Sequence, residues 1–302
     1  MASKNRKRPS LVSVIIPCYN AERWLAEAIQ SCLDQIYRPI EIIVIDDGST
    51  DRSLEVIKSF GDKIRWETGP NRGGNVARNR GFALSKGRFV QFLDADDYIV
   101  PEKIGLQVAC LEASGADVAY GDWRCQRHDP DGTAHLEAIQ VSGKQADITE
   151  AWLQGWWLTP AAVLHRRKAI SRIGGWDESL KAAQDADLMI RLSLAGSHFK
   201  YQRGAYAIYR KHGDDRVSSN PIRWRENRYR VLEKALDTLT HSNRLTPTYC
   251  HALAISYYRL ARHWLNSDRE KHDQLISRVL QLKPNIQSTG RALIRQYLSA
   301  TD

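Results

Sequence analysis

Three carboxylates fall within four residues at Asp94-Ala95-Asp96-Asp97, directly after the apolar run Phe89-Val90-Gln91-Phe92-Leu93. Carboxylates repel one another and are costly to bury, so a cluster at the exit of a buried strand calls for a compensating cation. Oxygen donors of this kind suit Mg²⁺ or Mn²⁺. The carboxyl end of a central strand is also where an open α/β sheet binds ligands. The chemistry suggested is a divalent cation gripping a phosphate-bearing substrate. Taken alone, the same four residues also fit a solvated acidic turn.

A second strand exit carries similar chemistry. The β-branched run Glu41-Ile42-Ile43-Val44-Ile45 breaks into Asp46-Asp47-Gly48-Ser49-Thr50-Asp51, a buried-strand pattern followed by turn residues. An earlier run, Leu11 to Ile16, ends at Pro17-Cys18-Tyr19-Asn20. Helix-compatible stretches lie between the strands: Ala21–Gln35, Asp51–Phe60 with Asp51 as an N-cap, and Asn75–Ser85. Strand alternating with helix predicts a mostly parallel sheet with right-handed crossovers, and polar residues gathered along one sheet edge.

These segments resemble family 2 glycosyltransferases of the GT-A fold. The resemblance rests on Val14-Ile15-Ile16-Pro17-Cys18-Tyr19-Asn20, Ile43 to Asp51, Asn71-Arg72-Gly73-Gly74-Asn75 with Ala77-Arg78-Asn79, and Gly87 to Asp97. It continues through Ile173-Gly174-Gly175-Trp176-Asp177-Glu178-Ser179-Leu180 and Gln184-Asp185-Ala186-Asp187-Leu188, covering residues 10–220. Each motif is weak alone; their shared order and spacing make the set specific. The implied fold is α/β: a Rossmann-like, mostly parallel mixed sheet flanked by helices, with a C-terminal helical extension.

The resemblance also implies roles. Pro17, Tyr19 and Asp46 would hold the nucleobase and ribose, because a carboxylate accepts hydrogen bonds from a base N–H or a ribose hydroxyl and a tyrosine ring can stack. Tyr19 also fits a core aromatic, and Asp47 fits a cap on the Gly48-Ser49 turn. Gly73 permits close backbone approach or a positive φ. Arg78 could face the diphosphate or pair with the acidic loop; a helix-surface arginine is the alternative. Asp94-Ala95-Asp96 resembles the DXD signature, with Asp94 near the ribose and Asp96 on the metal. Asp97 would only cap the segment before Pro101.

Asp185 matches the general base that deprotonates the acceptor hydroxyl, and a helix N-terminus would favour its anion; a plain N-cap is the alternative. Gln184 departs from the family pattern, where glutamate is usual. Tyr209-Arg210-Lys211-His212 with Ser218-Ser219 resembles the segment that closes over the donor, making His212 a metal or diphosphate ligand. Trp156 and Trp157 fall where the family places acceptor contacts, although tryptophans also fill cores. Mn²⁺ or Mg²⁺ is the expected cofactor, and a nucleotide-diphosphate sugar, UDP-linked, the expected donor. The expected acceptor is a hydroxyl-bearing glycan or lipid-linked molecule, in surface polysaccharide or other glycan synthesis.

The remaining sequence sets the frame. From Pro221 the apolar positions repeat at helical spacing, as in Val231, Leu232, Ala235, Leu236 and Leu239. The expected organisation is a basic tail over 1–10, a transferase domain over 11–220, and a helical hairpin or small bundle over 221–302 packed on that domain. No apolar run approaches the ~18 residues of a transmembrane helix. The basic start, Lys4-Asn5-Arg6-Lys7-Arg8, lacks the apolar follow-on of a secretory signal. The five cysteines show no CxxC spacing, which argues against a disulfide framework or zinc site and fits a reducing compartment.

The net charge of +9 is uneven, with +10 in residues 200–302 and −5 in residues 11–199. A basic tail of this kind can meet anionic lipid headgroups, nucleic acid or an acidic glycan, or simply form a solvated helical face. The expected location is cytoplasmic, including the inner face of the membrane, with no specific nucleic acid as partner. Two competing readings are a catalytically retired transferase domain that binds nucleotide-sugar or glycan, and a nucleotidyltransferase. The Gly174 to Asp185 motifs speak against the second.

Overall fold

The computed structural model describes residues 8–129, 133–212 and 220–283. Part of the basic tail (residues 1–7), Ser218-Ser219 and Pro284 lie outside them. The chain divides into two compact units: residues 1–144 with 158–219, and residues 145–157 with 220–302.

Among the described residues of the first unit, nine strands form one sheet, in the order β3 (Arg65–Thr68), β2 (Ile40–Asp46), β1 (Val12–Cys18), β4 (Phe89–Phe92), β8 (Val163–Arg166), β6 (Val118–His128), β9 (Phe199–Lys211), β5 (Tyr98–Ile99), with β7 (Ala134–Gln140) paired to β6. The central strand β1 (Val12–Cys18) runs parallel to β2 (Ile40–Asp46) and to β4 (Phe89–Phe92). Register aligns Cys18 with Asp46 and Ile15 with Phe92, so the three carboxyl ends reach the same sheet edge. Their apolar residues do not alternate with polar ones, because helices cover both faces of a parallel sheet. Val14, Ile15, Ile16, Ile43 and Val44 are all fully buried.

The sequence reading lacked β3 (Arg65–Thr68), a short parallel edge strand beside β2. Its residues are half-exposed or exposed, so it shows no apolar run to detect. Beyond β4 the sheet turns mixed: β8 (Val163–Arg166) is antiparallel to β4 and to β6 (Val118–His128). Strand β9 (Phe199–Lys211) is parallel to β6, β5 (Tyr98–Ile99) is antiparallel to β9, and β7 (Ala134–Gln140) is antiparallel to β6.

The expected helices form as α1 (Leu25–Leu33), α2 (Ser53–Ser59) and α3 (Gly74–Leu84). Helix α3 lies tight on the sheet: a Cβ at Gly81 would run into the Ile15 side chain. Asp51 does not cap α2 at its N-cap position, which is Arg52 with no side-chain bond. Instead its carboxylate accepts from the amides of Ser53 (2.9 Å) and Glu22 (3.0 Å), tying the β2 exit to the β1 exit. Helices α4 (Lys103–Ser114), α6 (Arg167–Arg172) and α7 (Gln184–Leu194) complete this unit.

The second unit holds α5 (Ile148–Gln154), α8 (Pro221–His241), α9 (Pro247–Trp264) and α10 (Arg269–Leu282), with α9 packed against the other three. Its starts follow helix-terminus chemistry. Asn220, Thr246 and Asp268 each accept a first-turn amide hydrogen bond, and proline opens α8 and α9. The sequence reading kept residues 145–157 with the 11–220 domain; in the structure they join this unit. Asp147 caps α5 and accepts from Tyr249 (2.9 Å), while buried Arg228 donates to the carbonyls of Trp152 and Leu153 (2.8 and 3.0 Å). None of the described helices is long and apolar enough to cross a membrane.

Candidate active site

At the β1 exit, Asn20 and Ala21 are laced to the β2 exit: their amides donate to Ser49 (3.0 Å) and Ser53 (2.8 Å). Pro17 lies in β1 opposite Ile45. Tyr19 is 51% exposed, so it is not a core aromatic. At the β2 exit, both carboxylates are buried. Asp46 accepts from the Thr68 hydroxyl (2.5 Å) and the Ser49 amide (3.2 Å), so it is Asp46 that caps this turn. Asp47, expected to cap Gly48-Ser49, reaches the amides of Arg72 (2.9 Å) and Gly73 (2.8 Å) instead. Gly73 adopts φ 101°, which favours glycine.

The β4 exit is arranged differently. Asp94 accepts from Arg78 at 2.6 Å, and Asp96 faces the His212 ring nitrogen at 3.0 Å. Arg78 is no surface arginine: it is 8% exposed, lies over the Trp176 ring at 4.6 Å, and donates to Asn75 and Gln184, both at 3.2 Å. One guanidinium thus touches Asp94 and the residue just before Asp185.

Asp185 stands in the first turn of α7, while the N-cap is Ala183, in a left-handed conformation. The plain N-cap reading of Asp185 therefore does not hold. At this helix position backbone amides and dipole favour an anion.

Two residues at this exit carry more than the sequence indicated. Asp97, expected to cap the segment before Pro101, is fully buried and accepts from the Arg210 amide and the Thr159 hydroxyl, both at 3.0 Å. Burial first, then the charges of Asp96 and Asp94, push its carboxyl well above the usual carboxylate range. Arg210 is buried; its guanidinium lies over Trp24 (4.9 Å) and Tyr98 (4.6 Å), pairs with Glu27, and donates to the Asp96 carbonyl (3.1 Å). Cation–aromatic contacts of this kind hold a guanidinium without exposing it to water. Trp24 also stacks near His212, with ring centroids 4.9 Å apart. The Tyr209-Arg210-Lys211 run was noted in the sequence, but partners more than 80 residues away in the chain gave no local signal.

Trp156 and Trp157 belong to the second unit. Trp156 packs edge-on against buried Trp152 (5.5 Å), and Trp157 is 37% exposed.

The Asp96–His212 pair is a carboxylate oxygen and an imidazole nitrogen side by side, a donor set that suits a divalent first-row cation. Among the described residues no group of three or more His, Cys, Asp or Glu side chains converges as a metal cage. A two-ligand site fits a cation whose other positions are taken by substrate phosphates and water.

The model of the glycosyl transferase family 2 domain matches residues 13–174, more than half of the chain. The chain belongs to glycosyl transferase family 2. An uncharacterized glycosyltransferase of Haemophilus influenzae is 40% identical over 117 residues, 37% of this chain and 47% of that protein. One from Rickettsia typhi is 33% identical over 203 residues, 64% of this chain and 62% of that protein. The chain therefore spans less than two thirds of either relative.

Among solved structures, S. aureus TarS 1-349 in complex with UDP superposes with a TM-score of 0.62 at 21% identity, covering 90% of this chain and 81% of that one. The mannosyltransferase PcManGT from Pyrobaculum calidifontis, in complex with GDP-Man and Mn²⁺, gives 0.56 at 15% identity, covering 92% and 82%. These family 2 and GT-A likenesses agree with the sheet described above.

Proposed function

We propose that this family 2 chain transfers a sugar, with inversion, from a UDP-linked donor to an acceptor hydroxyl. The observation that carries the reading is Arg78, bonded to Asp94 at the β4 exit and to Gln184 beside Asp185. It links the exit that would hold cation and phosphate to the residue preceding the carboxylate that would abstract the proton. Pro17, Tyr19, Asp46 and Gly73 would line the nucleoside and phosphate side; for Trp156 and Trp157, in the second unit, the proposed role is contact with the acceptor. Asp96 and His212 would hold the divalent metal, Mn²⁺ or Mg²⁺. Once bound, that ion neutralises charge on the diphosphate as it leaves.

Asp185 takes the proton of the acceptor hydroxyl. The oxygen forms its bond to the anomeric carbon on the face opposite the leaving group, and the carbon–oxygen bond to the diphosphate breaks with its electron pair. A single in-line displacement inverts the anomeric centre. Support for the donor class comes from the structural neighbours crystallised with UDP, and with GDP-Man and Mn²⁺. We assign the activity to surface polysaccharide or other glycan synthesis in the cytoplasm, with the basic region over 200–302 meeting the inner membrane face.

The test is Asp185→Asn, assayed with a panel of UDP-, GDP- and dTDP-sugars with and without Mn²⁺. The variant keeps donor binding and loses turnover by roughly 10²–10⁴-fold. Near-wild-type turnover would remove Asp185 from the chemistry. Silence of the folded wild-type protein across the panel would favour the retired, binding-only reading.

A further inference from the structure

Helix α3 carries Asn75, Arg78 and Asn79, at spacings that place them on one helical face. Apart from the mutual Asn75–Arg78 bond and the bond to Asp94, their side-chain hydrogen bonds go to the loop over residues 176–183 and to Gln184, which opens α7. The Asn79 amide reads the backbone of Trp176 in both directions: its oxygen accepts from the Trp176 amide (2.8 Å) and its nitrogen donates to the Trp176 carbonyl (2.9 Å). The same nitrogen donates to the Glu178 carboxylate (3.0 Å). Asn75 donates to the carbonyls of Asp177 (2.6 Å) and Leu180 (3.5 Å). The approach is close enough that a Cβ at Gly175 would lie 2.6 Å from the Asn79 amide oxygen.

This loop ends in a strained residue. Ala183 has φ 52°, a left-handed conformation that a residue with a Cβ adopts only where its surroundings hold it. The next residue, Gln184, is fixed from two sides, donating to the Leu180 carbonyl (3.1 Å) and accepting from Arg78 (3.2 Å). Asp185 follows directly. The start of α7 is thus tied to the α3 face through Gln184 and the loop before it, and α7 has no side-chain cap bond.

We infer that Asn79, together with Asn75, is a positioning residue for Asp185, and that the α3 face ties the placement of the base to Asp94 through Arg78. The inference rests on the transferase reading above. Asn79 touches neither Asp94 nor Asp96 in the bonds described, so its loss moves the base without altering the donor side. Displacing a reacting group by about 1 Å can cost ~10²-fold in rate.

The experiment follows Mn²⁺-dependent release of nucleotide from whichever sugar of the panel the wild type consumes, with water as acceptor, and calorimetric binding of UDP with Mn²⁺. Asn79→Ala lowers kcat by about tenfold and leaves the UDP dissociation constant within about twofold. Asn79→Asp lowers kcat further, because the new carboxylate faces both the Trp176 carbonyl and the Glu178 carboxylate. Adding Glu178→Gln relieves only the second repulsion and recovers kcat in part, above that of Asn79→Asp.

Wild-type kcat in Asn79→Ala, parallel loss of kcat and UDP binding, or a double variant with kcat no higher than Asn79→Asp would each overturn the inference. If Asn79→Ala does not fold, the Asn79→Asp and Asn79→Asp/Glu178→Gln comparison decides. A wild type that consumes no donor overturns the transferase reading first, and the inference with it.

Discussion

The two acidic strand exits are built from the same residue type and work by opposite means. At the β2 exit, Asp46 and Asp47 are held by neutral donors: the Thr68 hydroxyl and the amides of Ser49, Arg72 and Gly73. At the β4 exit, Asp94 and Asp96 face a guanidinium and an imidazole, Arg78 and His212. Carboxylates bound to main-chain amides build a loop, because each amide left unpaired by their loss costs its desolvation energy. Carboxylates facing basic side chains can exchange those partners for a metal or reorganise around a diphosphate. The difference separates carboxylates fixed by amides and a hydroxyl from carboxylates held by basic side chains on one sheet edge.

The largest effect that separates the exits is expected from Asp96→Asn, which keeps shape and removes charge. Mn²⁺-dependent UDP binding weakens by about 100-fold, or roughly 2.7 kcal/mol, while the melting temperature stays put; unchanged calorimetric binding would erase the distinction. Asp47→Ala is expected to do the reverse. It leaves the Arg72 and Gly73 amides unpaired and costs about 1–3 kcal/mol of stability in denaturant titration. A fully stable variant would show that Asp47 is not scaffold.

The smallest effect concerns the β1 exit, which aligns with the β2 exit through Cys18. Burial raises the Cys18 thiol from the ordinary 9.0 to about 11, so at pH 8 its reactive thiolate is scarce. Iodoacetamide should label the partly exposed Cys110 and Cys250 first and leave buried Cys18 unmodified at pH 8 in the folded protein. Rapid labelling of Cys18 in the folded protein at pH 8 would contradict this and open the β1 exit to nucleophilic chemistry.

Much of the site was legible because its residues sit where periodicity breaks. Strand runs ending in Asn20, Asp46 and Asp94 mark the edge without any three-dimensional information, and the placement of Asp185 at the start of a helix follows from Gln184-Asp185 opening an amphipathic run. That the turn is capped by Asp46 and not Asp47 was not legible. Adjacent residues at a turn point in different directions, and their partners Thr68, Arg72 and Gly73 lie more than 20 residues on. Arg210 and Asp97 were underrated for the same reason: burial and ring contacts, not residue type, make them important.

The sequence by itself determined the sheet core, the three polar strand exits and the helical nature of residues 221–282, since apolar periodicity and turn chemistry act locally. Tertiary structure alone decided which carboxylate meets an amide and which meets a basic side chain. It also decided that residues 145–157 join the C-terminal helices and that one face of α3 holds the loop leading to Asp185. Those outcomes depend on which distant groups burial brings within hydrogen-bond range, and a linear chain does not encode that distance in any local pattern.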